Sequence, residues 1–169
     1  MAKIQILIGM IASGKSSYCK NIARKGHLCI NDDAIVNMLH ADQYNLYDQN
    51  LKLLYKSIEN HIISSALCLN KNVLIDRALN ISFQGRQRYI ALAKSFDVKC
   101  EALVFTNEGP EVHALRRTQS DCRGYDLDYW MRVAKTHDKL YCEPTLEEGF
   151  DNIYQVSFEQ IQKNQIIGE

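Results

Sequence analysis

The sequence predicts an α/β fold, a five-stranded parallel sheet with helices on both faces. Short apolar runs of strand length alternate with segments whose apolar residues recur at helical spacing. The pattern G-x-x-x-x-G-K-S follows the first apolar run, at residues 9–16. When each strand is followed by a helix, neighbouring strands run parallel, because the helix carries the chain back across the sheet. In such sheets, ligands bind at the carboxyl ends of the strands.

The first half of the chain contains three strand and helix pairs. Strands are predicted at residues 4–8, 27–30 and 72–76. Helices are predicted at residues 17–24, 33–40 and 49–70. The longest helix carries apolar residues at i, i+3 and i+4 spacing, and Asp48 before it is a suitable N-cap.

The second half continues the alternation. Strands are predicted at residues 99–105 and 152–156. Helices are predicted at residues 82–95, 110–115 and 126–140, with a short helix after residue 156. Residues 118–124 are polar and predicted to form a loop, and Asp126 is predicted to cap the helix that follows.

Composition indicates one globular domain over residues 1–169, because 46% of the residues are hydrophobic and can fill one core. No run of about 18 apolar residues occurs, so no membrane span is expected. Six cysteines are scattered without a C-x-x-C pair, which is typical of a reduced, cytoplasmic chain without disulfides or zinc. The formal net charge is zero, with 20 basic and 20 acidic residues.

Residues 9–16 have the spacing of a phosphate-binding loop between a strand and a helix. The residues expected to wrap the nucleotide phosphates are Gly9, Ser13, Gly14, Lys15, Ser16 and Ser17. Lys15 is expected to reach the β- and γ-phosphates, and Ser16 to hold Mg²⁺ together with water. A chance match in an ordinary turn is the alternative, and the flanking strand and helix argue against it. The loop therefore predicts binding of a nucleoside triphosphate with Mg²⁺.

Three acids stand at the ends of predicted strands. Asp76 closes the third strand, where an acid can order Mg²⁺ through water or orient an acceptor group. Asp32 and Asp33 follow the second strand, where a carboxylate can accept a proton from an attacking hydroxyl. The ordinary explanation for that pair is a helix N-cap at one of them. Because adjacent side chains diverge, at most one of the two is expected to point into the cleft.

Arginines cluster in the middle of the chain, and this residue is the preferred bidentate partner of phosphate. Six of the eight fall between residues 77 and 123, namely Arg77, Arg86, Arg88, Arg116, Arg117 and Arg123. The last three bracket the polar stretch, which predicts a lid over about residues 116–126 with Gly124 as a hinge. Arg117 and Arg123 are the candidates to stabilise charge on a transferring phosphate, whereas Arg116 fits a solvated helix end.

In order and spacing, these motifs resemble the 5′-kinase domain of phage-type polynucleotide kinases, within the larger group of P-loop kinases. The similarity covers about residues 2–156 and rests on four segments: the loop at 9–16, residues 30–33, Asp76-x-x-Leu79-Asn80, and residues 115–124. It implies a P-loop kinase-like sheet with a helical, arginine-bearing lid. It also implies transfer of the γ-phosphate of ATP to a 5′-hydroxyl of DNA or RNA, with Mg²⁺, in nucleic acid repair.

The resemblance assigns roles by position. Lys15 and Ser16 match the phosphate and metal residues, and Asp32 matches the general base that activates the 5′-hydroxyl. Asp76 matches an acid near that hydroxyl, with Asp33 as a further acceptor-side residue. Arg117 and Arg123 match the lid arginines, with one extra residue between them.

Two positions depart from the family pattern. The family carries an arginine three residues after its catalytic aspartate, and this chain has Ile35 there. That arginine grips the acceptor's phosphate, so we expect other arginines, Arg77, Arg86 and Arg88, to contact the acceptor at the mouth of the cleft. The loop has Met10-Ile11-Ala12-Ser13 in place of the usual Pro-Gly-Ser middle, which leaves the expectation of ATP binding unchanged.

Two other functions remain open from the sequence. A kinase of the same fold could act on the hydroxyl of a small molecule such as a nucleoside, sugar or antibiotic, and Ile35 and the zero net charge favour it. A nucleotide-binding regulator without transfer activity is the other. Asp32, Asp76 and the lid arginines argue against that regulator, because simple binding needs no base opposite the γ-phosphate.

Overall fold

The computed structural model describes residues 1–121, 124–157 and 161. Within these residues, strands β1 to β5 span Lys3–Ile8, Leu28–Ile30, Val73–Asp76, Lys99–Phe105 and Asn152–Val156. Helices α1 to α6 span Lys15–Ala23, Asp32–Leu39, Lys52–Cys68, Phe83–Ser95, Pro110–Ser120 and Leu127–Leu140. Short 3₁₀ helices lie at Tyr44–Leu46, Gln49–Leu51, Ala78–Ile81 and Leu146–Glu148. Across the described ranges, no helix has the length and apolar character that a membrane crossing requires.

The five strands form one parallel sheet in the order β2-β3-β1-β4-β5. In the middle of the sheet, Ile6 of β1 lies between Ile75 of β3 and Ala102 of β4. Because the strands are parallel, the loops that follow β1, β2 and β3 leave the sheet at the same edge. The predicted fold class is confirmed, and all the sequence motifs after these strands meet at that edge.

Helices cover both faces of the sheet. On one face, α3 and α4 pack against β1, β3 and β4 through side chains such as Ile63 and Tyr89. On the other face, α1 packs through Tyr18 and Ile22. Successive side chains of a strand point to opposite faces of the sheet, so each strand contributes side chains to both cores.

Most predicted element boundaries agree with the structure to within three residues, and helix α5 is the exception. The expected helix end at residue 115 is wrong, and so is the loop over residues 118–120, because α5 continues to Ser120. Residues 122 and 123 of the predicted loop lie outside the described residues. Thr118 and Ser120 donate side-chain hydrogen bonds to the carbonyls of Ala114 and Arg116, so these polar residues stay within the helix. The predicted helix after residue 156 lies, apart from Ile161, outside the described residues.

Arg86 corrects one of the predicted acceptor contacts. Its side chain is fully buried in α4. Its guanidinium binds the Glu148 carboxylate, with Nη2 2.5 Å from Oε1, and donates to the carbonyl oxygens of Ile81 and Cys142. Arg86 therefore ties α4 to two loops and does not reach the cleft, so its expected contact with an acceptor strand is wrong.

Arg88 also has partners within the fold. Its guanidinium pairs with the Glu59 carboxylate of α3 and donates to the Tyr89 hydroxyl at 2.7 Å. Tyr89 in turn donates to the other oxygen of Glu59 at 2.6 Å. These bonds hold Arg88 between α3 and α4 with 23% of its side chain exposed, and its contact with an acceptor stays a prediction.

Candidate functional site

The loop at residues 9–16 connects β1 to α1 and curls around the Lys15 ammonium. Lys15 Nζ donates to the carbonyl oxygens of Gly9 and Met10, both at 2.7 Å. Gly14 has φ of 99°, in the region that favours glycine. A Cβ at Gly9 would lie 2.8 Å from Phe105 Cβ, so glycine is needed there as well. The two glycines of the motif thus shape the loop, as the sequence pattern predicted.

An open cavity of about 430 Å³ adjoins this loop. Besides the loop and Ser17, basic and polar side chains of α1 and α5 line it: Lys20, Arg116, Arg117 and Ser120. The predicted wrapping residues, from Ser13 to Ser17, all face this cavity. A basic cavity at a helix N-terminus has the charge and N–H donors that suit a chain of phosphates.

Burial changes the acidity of Lys15. Its removal from water lowers the pKa to about 8, although the nearby Asp76 carboxylate and Cys19 thiol act in the opposite direction. An anionic ligand beside the ammonium would stabilise its charged form and raise the pKa again. Nucleotide binding is therefore linked to the protonation of this lysine.

We expect ATP binding to take up a proton when the pH exceeds about 8, the pKa of Lys15 in the free protein. The free lysine loses its proton there, whereas the lysine beside the triphosphate keeps it, so affinity for ATP falls as the pH rises. Titration calorimetry at pH 9 in two buffers of different ionisation enthalpy measures this uptake. Equal heats in both buffers would contradict the expectation, and the Lys15→Met variant is the control that cannot take up the proton.

Ser16 and Asp76 form a pair at the ends of the loop and of β3. The Ser16 hydroxyl donates to Asp76 Oδ2 at 2.8 Å, and Asp76 is buried. Hydroxyl and carboxylate oxygens are the ligands that Mg²⁺ prefers, and it commonly uses one or two protein ligands plus phosphates and water. The two residues therefore fit the predicted metal, and this contact favours the metal-side function of Asp76 that the sequence left open.

The acidic pair after β2 lies in the first turn of α2. The helix cap is Asn31, whose side chain accepts from the Ala34 N–H and donates to the Asp76 carbonyl. The expectation that Asp32 or Asp33 is the N-cap is therefore wrong. Because Asn31 fills that function, neither carboxylate is used as the helix cap, and both lie beside the positive end of the helix dipole.

Asp32 forms an ion pair with Arg77. The Arg77 Nε lies 2.7 Å from Asp32 Oδ2, and the Asp32 side chain is 38% exposed. Each residue lies two positions after a member of one strand pair, since Ile30 of β2 pairs with Ile75 of β3. Arg77 thus stands at the cleft as predicted, but it contacts the expected base.

A second open cavity, of about 320 Å³, joins the loop to the acidic pair. Lys15, Ser16, Asp76, Asp32 and Asp33 all line it, so the structure brings these predicted residues into one cleft. The volume is within the range of about 300–1,000 Å³ that ligand pockets occupy.

The α5 and α6 helices form the wall opposite the acids. Arg117 lines both cavities, and its Cζ lies 4.7 Å from the centre of the Trp130 ring. An ion pair with Asp121, with Nη2 3.9 Å from Oδ1, also holds it. Arg116 instead pairs with Glu108 on the surface. It lies within α5 and not at the helix end that the sequence indicated. Arg123, the other predicted lid arginine, lies outside the described residues.

Sequence reasoning missed four side chains of α6 that line the cleft: Tyr129, Trp130, Val133 and His137. Their helical spacing places them on one face of α6, toward the cleft. Within the described ranges, Trp130 Nε1 and His137 Nδ1 are buried without a hydrogen-bond partner. These polar atoms on an otherwise apolar helical stripe are the signal that could have found them.

The sheet order, the phosphate-binding loop and the acids at the strand ends define a P-loop domain of the kinase type. The AAA domain family matches residues 4–119, more than half of the chain, and the chain belongs to this family. No curated protein matches the sequence.

Solved structures with this fold include several kinases. A fungal RNA kinase has a TM-score of 0.64 and 16% identity over 96% of this chain and 41% of its own. A chain of the Pnkp1/Rnl/Hen1 RNA repair complex has a TM-score of 0.63 and 17% identity over 83% of this chain and 46% of its own. The Mycobacterium tuberculosis APS kinase CysC, in complex with AMPPNP and APS, has a TM-score of 0.63 and 17% identity over 96% of this chain and 94% of its own. The chain thus spans less than half of the two RNA-related proteins, and the predicted resemblance to P-loop kinases is confirmed for fold and family.

Proposed function

We propose that this protein is an ATP-dependent kinase that transfers the γ-phosphoryl group of ATP to a 5′-hydroxyl of DNA or RNA. The observation that carries the proposal is the Asp32 carboxylate, half-exposed in the same cleft as Lys15 and Ser16. A protein that only binds a nucleotide has no need for a carboxylate at that position. A kinase needs one to accept the proton of the attacking hydroxyl.

The proposed reaction is a direct displacement at the γ-phosphorus. The acceptor oxygen forms a bond to phosphorus, the bond to the β–γ bridging oxygen breaks, and ADP leaves with that electron pair. Asp32 Oδ2 is bonded to Arg77, so Oδ1 accepts the proton of the acceptor hydroxyl. Arg77 is in this account a positioning residue that holds the base in one orientation.

The remaining charges stabilise the phosphates. The Lys15 ammonium contacts the β- and γ-phosphates, and Arg117, with Arg123 from the lid, neutralises charge on the transferring group. Ser16 and Asp76 would hold Mg²⁺, which would screen the negative charge of the triphosphate. Closure of the lid over these groups excludes water that would otherwise hydrolyse ATP.

A kinase of a small-molecule hydroxyl is the second candidate. It is favoured by Ile35, which is buried against Val36 and Tyr55 and offers no charge for an acceptor phosphate. It is also consistent with the APS kinase, 94% of whose length this chain spans.

A transfer screen with γ-labelled ATP tests the proposal. The acceptors are 5′-hydroxyl DNA, 5′-hydroxyl RNA, a nucleoside 3′-monophosphate and a panel of small alcohols that includes sugars and APS. We expect label on the oligonucleotides and on the nucleotide, with none when Asp32→Asn replaces the wild type. Label on a small alcohol alone would establish the second candidate. ATP binding without transfer to any acceptor would indicate a regulator.

A further inference from the structure

A small recess between α2 and α3 adjoins the cleft and has no function in the account above. It shares Asp32, Asp33 and Tyr44 with the cleft, and Arg77 forms part of its wall. Its volume is about 80 Å³, below the range of about 300–1,000 Å³ for pockets that enclose a whole ligand. The recess therefore suits one group of a molecule whose remainder lies in the cleft.

Two lysines of α3 bring positive charge into the recess, whose wall holds three cations and three carboxylates in all. Lys52 and Lys56 both line it, one helical turn apart on the same face of α3. Two of the carboxylates in its wall are already bound, Asp32 by Arg77 and Glu59 by Arg88. Among the residues that the structure describes, neither lysine forms an ion pair. The lysines are thus available to an anion from solution.

The cations around Lys56 also act on one another. Partial burial lowers the pKa of Lys56, and the like charges of Arg88, Lys52 and Arg77 lower it further. Repulsion of this kind is relieved when an anion binds between the cations. The two lysines therefore form a local positive pair that complements a group such as phosphate.

An aromatic wall stands beside these lysines. Tyr55 is buried, and its hydroxyl is held by His40 Nε2 at 2.9 Å and by the Asp48 N–H at 3.2 Å. The Tyr47 ring packs 5.5 Å from that of Tyr55 and keeps 43% of its surface exposed. The Tyr44 ring lies at 19° to Tyr47, so the two outer rings are nearly parallel. Supported, exposed tyrosine rings of this kind are platforms on which bases stack.

We propose that this recess binds a phosphorylated nucleoside of the acceptor, with its phosphate on Lys52 and Lys56 and its base on Tyr47 and Tyr44. The inference rests on the proposed kinase function, because it places the acceptor next to Asp32. Ile35 of α2 stands where the resembled family has an arginine for the acceptor phosphate. Lys52 and Lys56 of α3 would provide that positive charge instead. A neutral sugar would leave both lysines without an anionic partner, so the recess favours a phosphorylated acceptor over a neutral sugar.

Steady-state kinetics with three acceptors separate the two contributions: adenosine, adenosine 3′-monophosphate and an abasic ribose 3-phosphate. In Lys52→Gln/Lys56→Gln, we expect the KM for adenosine 3′-monophosphate to rise about 10- to 100-fold, because contacts to a charged group are lost. The KM values for adenosine and for ATP should not change. In Tyr47→Leu, the KM should rise for both acceptors that carry a base and stay constant for the abasic phosphate.

The matched control is Lys135→Gln/Lys139→Gln, which removes the same charge from two exposed lysines, also four residues apart, on α6. This variant should have the wild-type KM for every acceptor. If the KM for adenosine 3′-monophosphate rose equally in both double variants, the cause would be the overall charge of the protein, and the inference would be overturned. A KM for adenosine 3′-monophosphate that stays constant in Lys52→Gln/Lys56→Gln would overturn it too.

Equilibrium binding tests the subsite independently of the proposed kinase function. Calorimetric binding of adenosine 3′-monophosphate, without ATP, needs no transfer activity. Binding that Lys52→Gln/Lys56→Gln weakens would support the subsite even if the screen found only a small alcohol as acceptor. No binding to the wild type, or binding equal in this variant, would overturn the subsite even if polynucleotide transfer were established.

Discussion

Lys15→Met is expected to abolish phosphoryl transfer while the protein remains folded. Lys15 is the buried cation of the phosphate-binding loop, and its ammonium is held by the Gly9 and Met10 carbonyl oxygens. Methionine keeps the unbranched stem and removes the charge. Loss of a single group that stabilises transition-state charge lowers turnover by about 10²–10³-fold. The loss here should be at least that large, because Lys15 also contributes to ATP binding in the ground state.

Turnover and ATP affinity are measured separately, by label transfer and by binding of a fluorescent ATP analogue. Thermal unfolding followed by circular dichroism shows that the variant is folded. Lys71→Met, at an exposed position before β3, is the matched control and should retain wild-type turnover. Wild-type turnover in a folded Lys15→Met protein would refute the kinase proposal and the interpretation of the loop.

The sequence was most informative where one local pattern determines the structure. Strand β4 begins and ends at the predicted residues, because the apolar run from Ala102 to Phe105 ends at the polar Thr106 and Asn107. Asp126 caps α6 through the Tyr129 N–H, as its position before an amphipathic helix indicated. The loop at residues 9–16 was identifiable because its glycines, lysine and serine have a fixed spacing between a strand and a helix. Each of these features depends on residues that are neighbours in the chain.

Features that depend on distant residues could not be predicted. Arg86 has the same sequence context as an exposed helical arginine, and its buried partner Glu148 is 62 residues away. The Asp32–Arg77 pair exists because β2 and β3 are neighbours in the sheet, and strand order cannot be inferred from alternation alone. The Lys52 and Lys56 recess was missed for the same reason. The apolar spacing of α3 was visible, but α2, which completes the recess, comes from an earlier part of the chain.

These distant contacts change how the site is understood. Of the three arginines that were expected to replace the missing family arginine, Arg86 and Arg88 stabilise the fold and Arg77 holds Asp32. The cations that we propose for the acceptor are Lys52 and Lys56, on another helix. A clamp made of lysines acts through charge more than through bidentate geometry. Acceptor binding in this protein should therefore depend strongly on salt concentration.

Asp32→Asn is expected to lower turnover by about 10²–10⁴-fold, the usual contribution of a general base, with little change in ATP affinity. The amide oxygen of asparagine can still accept from Arg77 Nε, which lies 2.7 Å from Asp32 Oδ2, so the geometry of α2 and of the cleft is preserved. What is lost is the capacity to accept a proton from the acceptor hydroxyl. Single-turnover transfer of label measures the chemical step without product release.

Asp33→Asn is the matched control, because it removes the same charge from the adjacent residue in the first turn of α2. Both carboxylates line the cleft, but Asp32 is the one that Arg77 orients. If Asp32 is the base, Asp33→Asn should retain most of the turnover, and the difference between the two variants cannot come from net charge. A severe loss in Asp33→Asn together with a mild one in Asp32→Asn would assign the base to Asp33. Equal mild losses in both would mean that neither carboxylate accepts the proton, and Asp76, which binds Ser16 at 2.8 Å, would then be the remaining acid in the cleft able to do so.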